Sequence, residues 1–171
     1  MIKKINIPKL RYADFLIVLT PLEDELFSSW LVRMAYAHQT HPHTFTNQYL
    51  GYRYNSFFRR DPDVSMVPSI IEKLDQMCRG RVDINSLTLK TFAGYLQEEI
   101  TDVPNLFLCA LRFCPACLRA DRIPYFRRRW RVAFYTVCLE HECYLEDRCP
   151  KCGKKLEISK MCKLPQFSDS R

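Results

Sequence analysis

The sequence has little glycine and no long apolar run. Only four of its 171 residues are glycine and 47% are apolar, which is typical of a folded chain and excludes a disordered one. The longest purely apolar run near the start, Phe15 to Leu19, is far shorter than the roughly 20 residues that cross a bilayer. The basic start is interrupted by Asp14, and no small-residue cleavage site follows it. We therefore expect a cytoplasmic protein with no membrane partner.

Acidic residues are also in deficit. The chain has 26 lysines and arginines against 19 aspartates and glutamates, which gives a formal net charge of +7. Such an excess favours an anionic partner, most often nucleic acid, although a merely basic soluble protein would have the same total. In a reducing cytoplasm the nine cysteines do not predict a disulfide framework. Paired Cys-x-x-Cys spacing then indicates metal binding or redox chemistry.

The first hundred residues have a helical pattern. Thr20, Pro21 and Glu23 form a capping box, and the apolar residues that follow recur at helical spacing, which predicts a helix over 21–38. A second amphipathic helix is predicted to end just before Gly80. Several short helices with tight turns resemble a helix-turn-helix bundle, although small bundles of other kinds give the same pattern.

The pattern changes near residues 100–110, where cysteines, arginines and short apolar runs replace the helical spacing. We therefore predict a mainly α, helix-turn-helix-like domain over 1–104. A small α+β region over 105–171, of the zinc-ribbon or zinc-finger kind, is predicted to follow it.

Two knuckles with twenty residues between them predict a zinc site. The first is formed by Cys114 and Cys117, and the second by Cys138 and His141. A two-residue gap lets one tight turn present both side chains to one ion, and zinc takes four such ligands in a tetrahedron. Because all four positions are filled by protein and no general base stands nearby in a recognisable arrangement, we predict a structural zinc and no catalytic residue.

A further pair, Cys149 and Cys152, raises the question of a second zinc. One option completes it with Cys143 and Cys162, and another requires a partner beyond Arg171. Cys143 is also consistent with a core thiol. The first zinc is therefore predicted outright, and the second is left open.

Arginines are concentrated between the two knuckles, where only Asp121 opposes them. Arginine suits phosphate, and an aromatic side chain among arginines can stack on a base. An acidic protein surface and a solvated face with no partner are the alternatives. The residues predicted to contact nucleic acid are Arg119, Arg122, Arg127, Arg128, Arg129, Trp130 and Arg131.

Three stretches together carry a family resemblance. They are an opening helix at Asp24–Ala35, an LTL element at Asp83–Leu96, and one cysteine region that runs from Leu111–Asp121 through the Arg-Trp segment to Val137–Gly153. This combination resembles the TniQ family of bacterial transposition target-selection proteins, which includes the TnsD-like members. The resemblance covers most of the chain and is most specific in the cysteine region.

The resemblance implies a helix-turn-helix domain, a zinc-binding domain and no catalytic chemistry. It also implies an adaptor that links a target-recognition device to an AAA+ transposition ATPase. That device would be a CRISPR effector with its guide RNA, or target DNA. The short chain favours the adaptor role, a second copy of the chain is a further candidate partner, and the expected location is the bacterial cytoplasm at the nucleoid. A stand-alone zinc-containing DNA-binding regulator is the alternative. The matching ligand positions are Cys114, Cys117, Cys138, His141, Cys149 and Cys152.

Overall fold

The computed structural model describes residues 14–52, 57–59, 61–90, 92 and 111–156. Within these residues the protein is mostly helical, with one small antiparallel sheet that pairs Val137 with Tyr144 and Cys138 with Cys143. The predicted fold class, mainly α with a small α+β cysteine region, is confirmed. The elements are α1 Phe27–Ala37, α2 Pro42–Leu50, α3 Pro68–Cys78, α4 Ile84–Leu87, α5 Pro115–Ala120, β1 Val137–Cys138 and β2 Cys143–Tyr144, with 3₁₀ turns at Phe57–Arg59 and Arg128–Arg131.

Helix α1 begins six residues later than the capping box predicts, so the predicted start at residue 21 is wrong. The backbone N–H of Leu22 donates to the Glu25 carboxylate at 2.9 Å, which closes a separate turn before the helix. The N–H of Leu26 donates to the carbonyl of Phe126 at 2.8 Å. The chain therefore stays extended at residue 26, because a distant segment supplies the backbone partner that a helical turn would have supplied.

Helix α3 follows its sequence signals closely. Pro68 occupies the first turn, where a missing N–H costs nothing, and Arg79 ends the helix in the left-handed conformation. The N–H of Gly80 then reaches back to the carbonyl of Asp75 at 3.0 Å, which satisfies an otherwise open helix end.

The next element, α4, is only four residues long and is capped by Asp83, whose carboxylate accepts from the backbone N–H groups of Asn85 and Ser86. The helix-turn-helix assignment stays a prediction. Residues 93–96 of the LTL element and the predicted boundary near 100–110 lie outside the described residues.

One hydrophobic core contains residues from both of the predicted domains. Trp30 of α1 and Leu74 of α3 are buried in the same cluster as Phe126 and Trp130 from the arginine-rich region. The N–H of Phe126 donates to the hydroxyl of Ser29 at 3.0 Å, inside that cluster. The division at residues 104 and 105 stays a prediction, and the two parts pack together.

The helices of the described part of the chain are all too short, or too polar, to cross a membrane.

Candidate metal centre

Helix α5 and the β1–β2 hairpin bring the predicted zinc ligands together. Cys114 is the N-cap of α5, where its sulfur accepts from the N–H of Cys117 at 3.4 Å. Cys138 ends β1, and His141 lies in the turn before β2. Two backbone hydrogen bonds of 2.9 Å between Phe113 and Glu146 fasten the first knuckle to the end of the hairpin.

The four donor atoms have the spacing of a tetrahedral zinc site. Cys117 Sγ lies 3.6 Å from Cys138 Sγ and 3.3 Å from His141 Nδ1. His141 Nδ1 lies 3.6 Å from Cys138 Sγ and 3.7 Å from Cys114 Sγ, and all four donors lie within 4.8 Å of one another. Bond lengths of about 2.3 Å to sulfur and 2.0–2.1 Å to nitrogen put the edges of such a tetrahedron at roughly 3.5–3.8 Å. These residues could hold a metal ion.

The cysteines of this cluster influence one another strongly. Burial raises the pKa of Cys117, and the neighbouring thiols raise it further. Burial also acts to raise the pKa of Cys114, but hydrogen bonds from the Cys117 N–H and from the neighbouring thiols lower it overall. One sulfur is therefore held towards its thiolate form, the form that binds a metal. A bound divalent ion would hold α5 and the hairpin together.

The second cysteine pair forms a knuckle turn of its own. The N–H of Gly153 donates to the carbonyl of Cys149 at 2.8 Å, and Gly153 has the left-handed φ of 68° that favours glycine. Backbone hydrogen bonds from Cys152 and Lys151 lower the pKa of Cys149. Cys162, the predicted further ligand, lies outside the described residues, so a second zinc stays a prediction.

Cys143 lies at the first cluster. Its Sγ is 3.5 Å from that of Cys114, although it is not one of the four mutually close donors. The option that places Cys143 in a second site with Cys162 stays a prediction, because Cys162 lies outside the described residues. Cys138 and Cys143 stand on either side of the hairpin turn and are paired in register. Their spacing around that turn is the sequence signal that would have indicated this position.

The arginine run is used largely inside the protein. Arg127 donates two hydrogen bonds to Asp121, at 2.8 and 3.1 Å. Its guanidinium also lies over the rings of Tyr125 and Trp130, at 4.4 and 4.8 Å from their centres. Trp130 itself is 1% exposed, so its ring offers no free face to a base in this structure.

The neighbouring arginines bind carboxylates from the helical region. Arg128 and Arg129 both pair with Asp24, at 3.2 and 2.6 Å. Arg131, which is 2% exposed, pairs with Asp61 and lies 3.8 Å from Asp63. These pairs attach the 3₁₀ turn at Arg128–Arg131 to the segments before α1 and before α3.

Asp63 is the most deeply enclosed of these carboxylates. It accepts from the backbone N–H of Ser28 at 2.7 Å and from the Ser28 hydroxyl at 2.9 Å. Burial raises its pKa to about 7, with Asp61 adding to the rise and Arg131 opposing it. No local sequence signal indicates these arginine–carboxylate pairs, since the acidic partners lie about 70 to 105 positions away.

Of the residues predicted to contact nucleic acid, Arg119 and Arg122 are exposed. Arg128 and Arg129 are partly exposed, while Arg127, Trp130 and Arg131 are buried. The prediction that this segment contacts nucleic acid therefore depends on its exposed members.

Together the fold and the site define a small, mostly helical protein in which a Cys₃His cluster that could hold a metal ion joins α5 to a hairpin. A comparison with protein families matches the TniQ family over residues 16–145, and the chain belongs to that family. The family resemblance is thereby confirmed. TniQ proteins are non-catalytic accessory proteins of transposition and associate with the transposition machinery. A search of curated proteins gives no match.

Proposed function

We propose that this protein is a non-enzymatic targeting adaptor for DNA transposition. It joins a target-recognition complex, either a CRISPR effector with guide RNA or a DNA site, to an AAA+ transposition ATPase. The observation that carries the proposal is the family match over residues 16–145, which spans the helices and the Cys₃His centre. The zinc ion predicted for that centre would serve as a structural staple.

Internal ion pairs support an adaptor role. Asp24 stands immediately before α1 and holds Arg128 and Arg129, which lie 104 and 105 positions further along the chain. An adaptor has to present separate surfaces in a fixed relation. Partly buried pairs between distant segments favour one arrangement of those segments over others, because breaking a pair leaves a partly desolvated charge unpaired.

The hairpin offers a surface suited to a protein partner. We define the hairpin face as the exposed residues around the turn: Leu139, Glu140, Glu142, Tyr144 and Glu146. Leu139 and Tyr144 are 77% and 79% exposed, and three carboxylates surround them. Apolar anchors with an acidic rim suit a protein surface with basic residues, and repel nucleic acid. We assign this face to the ATPase.

Co-purification with the ATPase tests the assignment. The double substitution Leu139→Ser and Tyr144→Ser should reduce recovery of the ATPase at least tenfold, because it removes both apolar anchors. Val67→Ser, which changes an exposed apolar residue next to α3, is the matched control and should have no effect. The adaptor role is rejected if the wild-type protein binds neither the ATPase nor an effector complex at low salt.

Nucleic-acid contact is assigned to Arg119 and Arg122, the exposed members of the arginine segment. Replacing both with alanine should weaken binding to guide RNA or duplex DNA. It should also lower the slope of log K against log salt by about 0.7–0.9 for each lost phosphate contact. Lys73→Ala, an exposed cation on α3, is the control. An unchanged slope in the double variant contradicts the assignment.

A stand-alone DNA-binding regulator is the second candidate. It is favoured by the exposed cations around the Cys149–Cys152 turn, which are Arg148, Lys151, Lys154 and Lys155. A sequence preference in gel shifts with the isolated chain would support the regulator over the adaptor. Sedimentation would test the predicted homodimer, and fractionation of cells would test the predicted nucleoid location.

A further inference from the structure

The Cys₃His cluster has a fifth potential donor, Cys143, beside its four mutually close donors. Cys143 Sγ lies 3.5 Å from Cys114 Sγ, a separation close to the 3.6 Å between Cys117 Sγ and Cys138 Sγ. Two thiolates on one zinc ion are expected to lie about 3.7–3.8 Å apart. The sulfur of Cys143 thus already has the distance to Cys114 that a shared ion requires.

The backbone fixes Cys143 at this place. It is the first residue of β2 and is paired in register with Cys138, a member of the cluster. Three residues further along, the bonds between Phe113 and Glu146 hold the open end of the hairpin to the first knuckle. A turn of one side chain about its Cα–Cβ bond moves a sulfur by about 3 Å, so a rotamer change of Cys143 is the movement that would bring its sulfur to the ion.

His141 is the member of the cluster that is easiest to replace. Cys114, Cys117 and Cys138 are buried, whereas His141 is exposed and lies in the turn between the two strands. An exposed turn residue leaves a site at lower cost than a buried one, because water replaces its contacts.

We propose that Cys143 is a reserve ligand, which takes the fourth position on the metal when His141 leaves and converts a Cys₃His centre into a Cys₄ centre. The metal–nitrogen bond breaks and a metal–sulfur bond forms. The Cys143 thiol proton passes to water, and the centre becomes one charge unit more negative. No electron is transferred, so the exchange needs neither oxidant nor reductant. The inference is independent of the proposed role in transposition.

Cobalt substitution in the whole chain tests this directly, because the sulfur-to-cobalt charge-transfer absorption grows with the number of bound thiolates. Four proteins are compared after loading with one equivalent of Co²⁺: wild type, Cys143→Ser, His141→Ala and the double variant. Wild type and Cys143→Ser should have the same three-thiolate spectrum. His141→Ala should keep tetrahedral cobalt with charge-transfer absorption about one third stronger, since four thiolates replace three. The double variant should bind Co²⁺ at least tenfold more weakly than His141→Ala.

Each other outcome overturns the proposal. Identical spectra and affinities for His141→Ala and the double variant would show that Cys143 does not bind. A weaker charge-transfer band in Cys143→Ser than in wild type would show that Cys143 is a ligand from the outset and not a reserve.

A chemical variant of the test avoids any dependence on how His141→Ala folds. Diethylpyrocarbonate acylates an imidazole nitrogen only while its lone pair is free, so on the folded, cobalt-loaded protein it reaches Nδ1 of His141 only when His141 is off the metal, and acylation there prevents His141 from binding again. Wild type should then gain charge-transfer absorption, and Cys143→Ser should lose cobalt. Equal cobalt loss from the two proteins would refute the reserve role.

Discussion

Asp24 stabilises the protein through its side chain and its backbone together. It adopts the left-handed conformation with φ of 56°, accepts from the Arg128 N–H at 2.8 Å through its carbonyl, and binds Arg128 and Arg129 through its carboxylate. Asparagine and aspartate tolerate this conformation better than other residues with a Cβ. Asp24→Ala should therefore destabilise the protein by about 2–4 kcal/mol, and Asp24→Asn by about 1–2 kcal/mol. Urea unfolding of the metal-loaded protein measures both.

The matched control is the surface pair of Asp14 with Arg79, at 2.7 Å. The Arg79 side chain is 58% exposed, and pairs of this kind contribute about 0–1 kcal/mol. Asp14→Ala should therefore change stability by less than about 0.5 kcal/mol. If Asp24→Ala has as small an effect as this control, the Asp24 contacts do not stabilise the fold.

The raised pKa of Asp63 predicts a dependence of stability on pH. Its pKa is about 7 in the folded protein against an ordinary value of 3.8, so between these values the folded state binds more protons than the unfolded state. The stability that the Asp63 carboxyl contributes is therefore fully present below about pH 4 and is lost as the pH rises through 7. Asp63→Asn keeps an oxygen for the Ser28 N–H but removes the titration, so its stability should fall less from pH 5.5 to 7.5 than that of wild type.

Metal binding strengthens with pH in both wild type and Asp63→Asn. The difference between their free energies of unfolding at each pH therefore removes the contribution of metal binding. Denaturant unfolding at saturating zinc gives the difference directly. If the two stability curves stay parallel over this range, Asp63 does not titrate there.

Among elements, the hairpin turn contains a residue in a conformation that suits glycine. Glu142 has a φ of 49° in the connection between β1 and β2. Left-handed backbone costs a non-glycine residue about 1–2 kcal/mol, and glycine avoids this cost. The greater freedom of glycine in the unfolded chain offsets about 0.5–1 kcal/mol of the resulting stabilisation. Glu142→Gly should therefore stabilise the metal-loaded protein by about 0.5 kcal/mol, measured as its unfolding midpoint in urea.

Glu140→Gly is the opposite control in the same turn. Glu140 has no positive φ, so glycine brings its entropic cost of about 0.5–1 kcal/mol. Glycine also removes the carboxylate that lies 4.0 Å from Arg129 and 3.8 Å from Cys117, so it should destabilise the protein. The same sign of change for both substitutions would contradict this account of the turn.

The sequence predicted some elements better than others. The difference depends on how far along the chain the residues that determine each element lie from it. The knuckles depend on gaps of two residues and one hairpin, so Cys114, Cys117, Cys138 and His141 were predicted as a set and do lie together. The end of α3 depends on neighbouring residues and was predicted as well. The start of α1 depends on Phe126, a hundred positions away, and local capping signals could not reveal it.

The arginine segment has internal carboxylate partners that its local sequence did not indicate, for the same physical reason. A run of cations with one nearby acid indicates a surface for phosphate if only local sequence is considered. Its carboxylate partners Asp24 and Asp61 come from the other end of the chain, and only the folded arrangement brings them together.

For the whole molecule, the shared core predicts that metal removal destabilises the helices as well as the hairpin. Free zinc at about 1,000 times its dissociation constant stabilises a protein by about 4 kcal/mol. At about 2–4 °C per kcal/mol for a chain of this length, chelation should lower the melting temperature by about 8–16 °C. Readdition of zinc should restore it. Cys117→Ser should melt at the chelated temperature without any chelator, whereas Cys152→Ser, outside the Cys₃His cluster, should retain most of the zinc effect.

The two tryptophans report the two halves of that core separately. Trp30 lies in α1 and Trp130 in the arginine-rich turn, and both are buried in one cluster. Trp30→Phe leaves Trp130 as the sole emitter, and Trp130→Phe leaves Trp30. Unfolding separates Phe126 from α1 in every variant. Far-ultraviolet circular dichroism and tryptophan emission should therefore give the same unfolding midpoint as each other within each variant, both with and without chelator. An emission change from Trp130 on chelation that precedes the loss of helix signal would instead show that residues 105–171 unfold as a separate domain, as the cysteine-rich composition alone predicts.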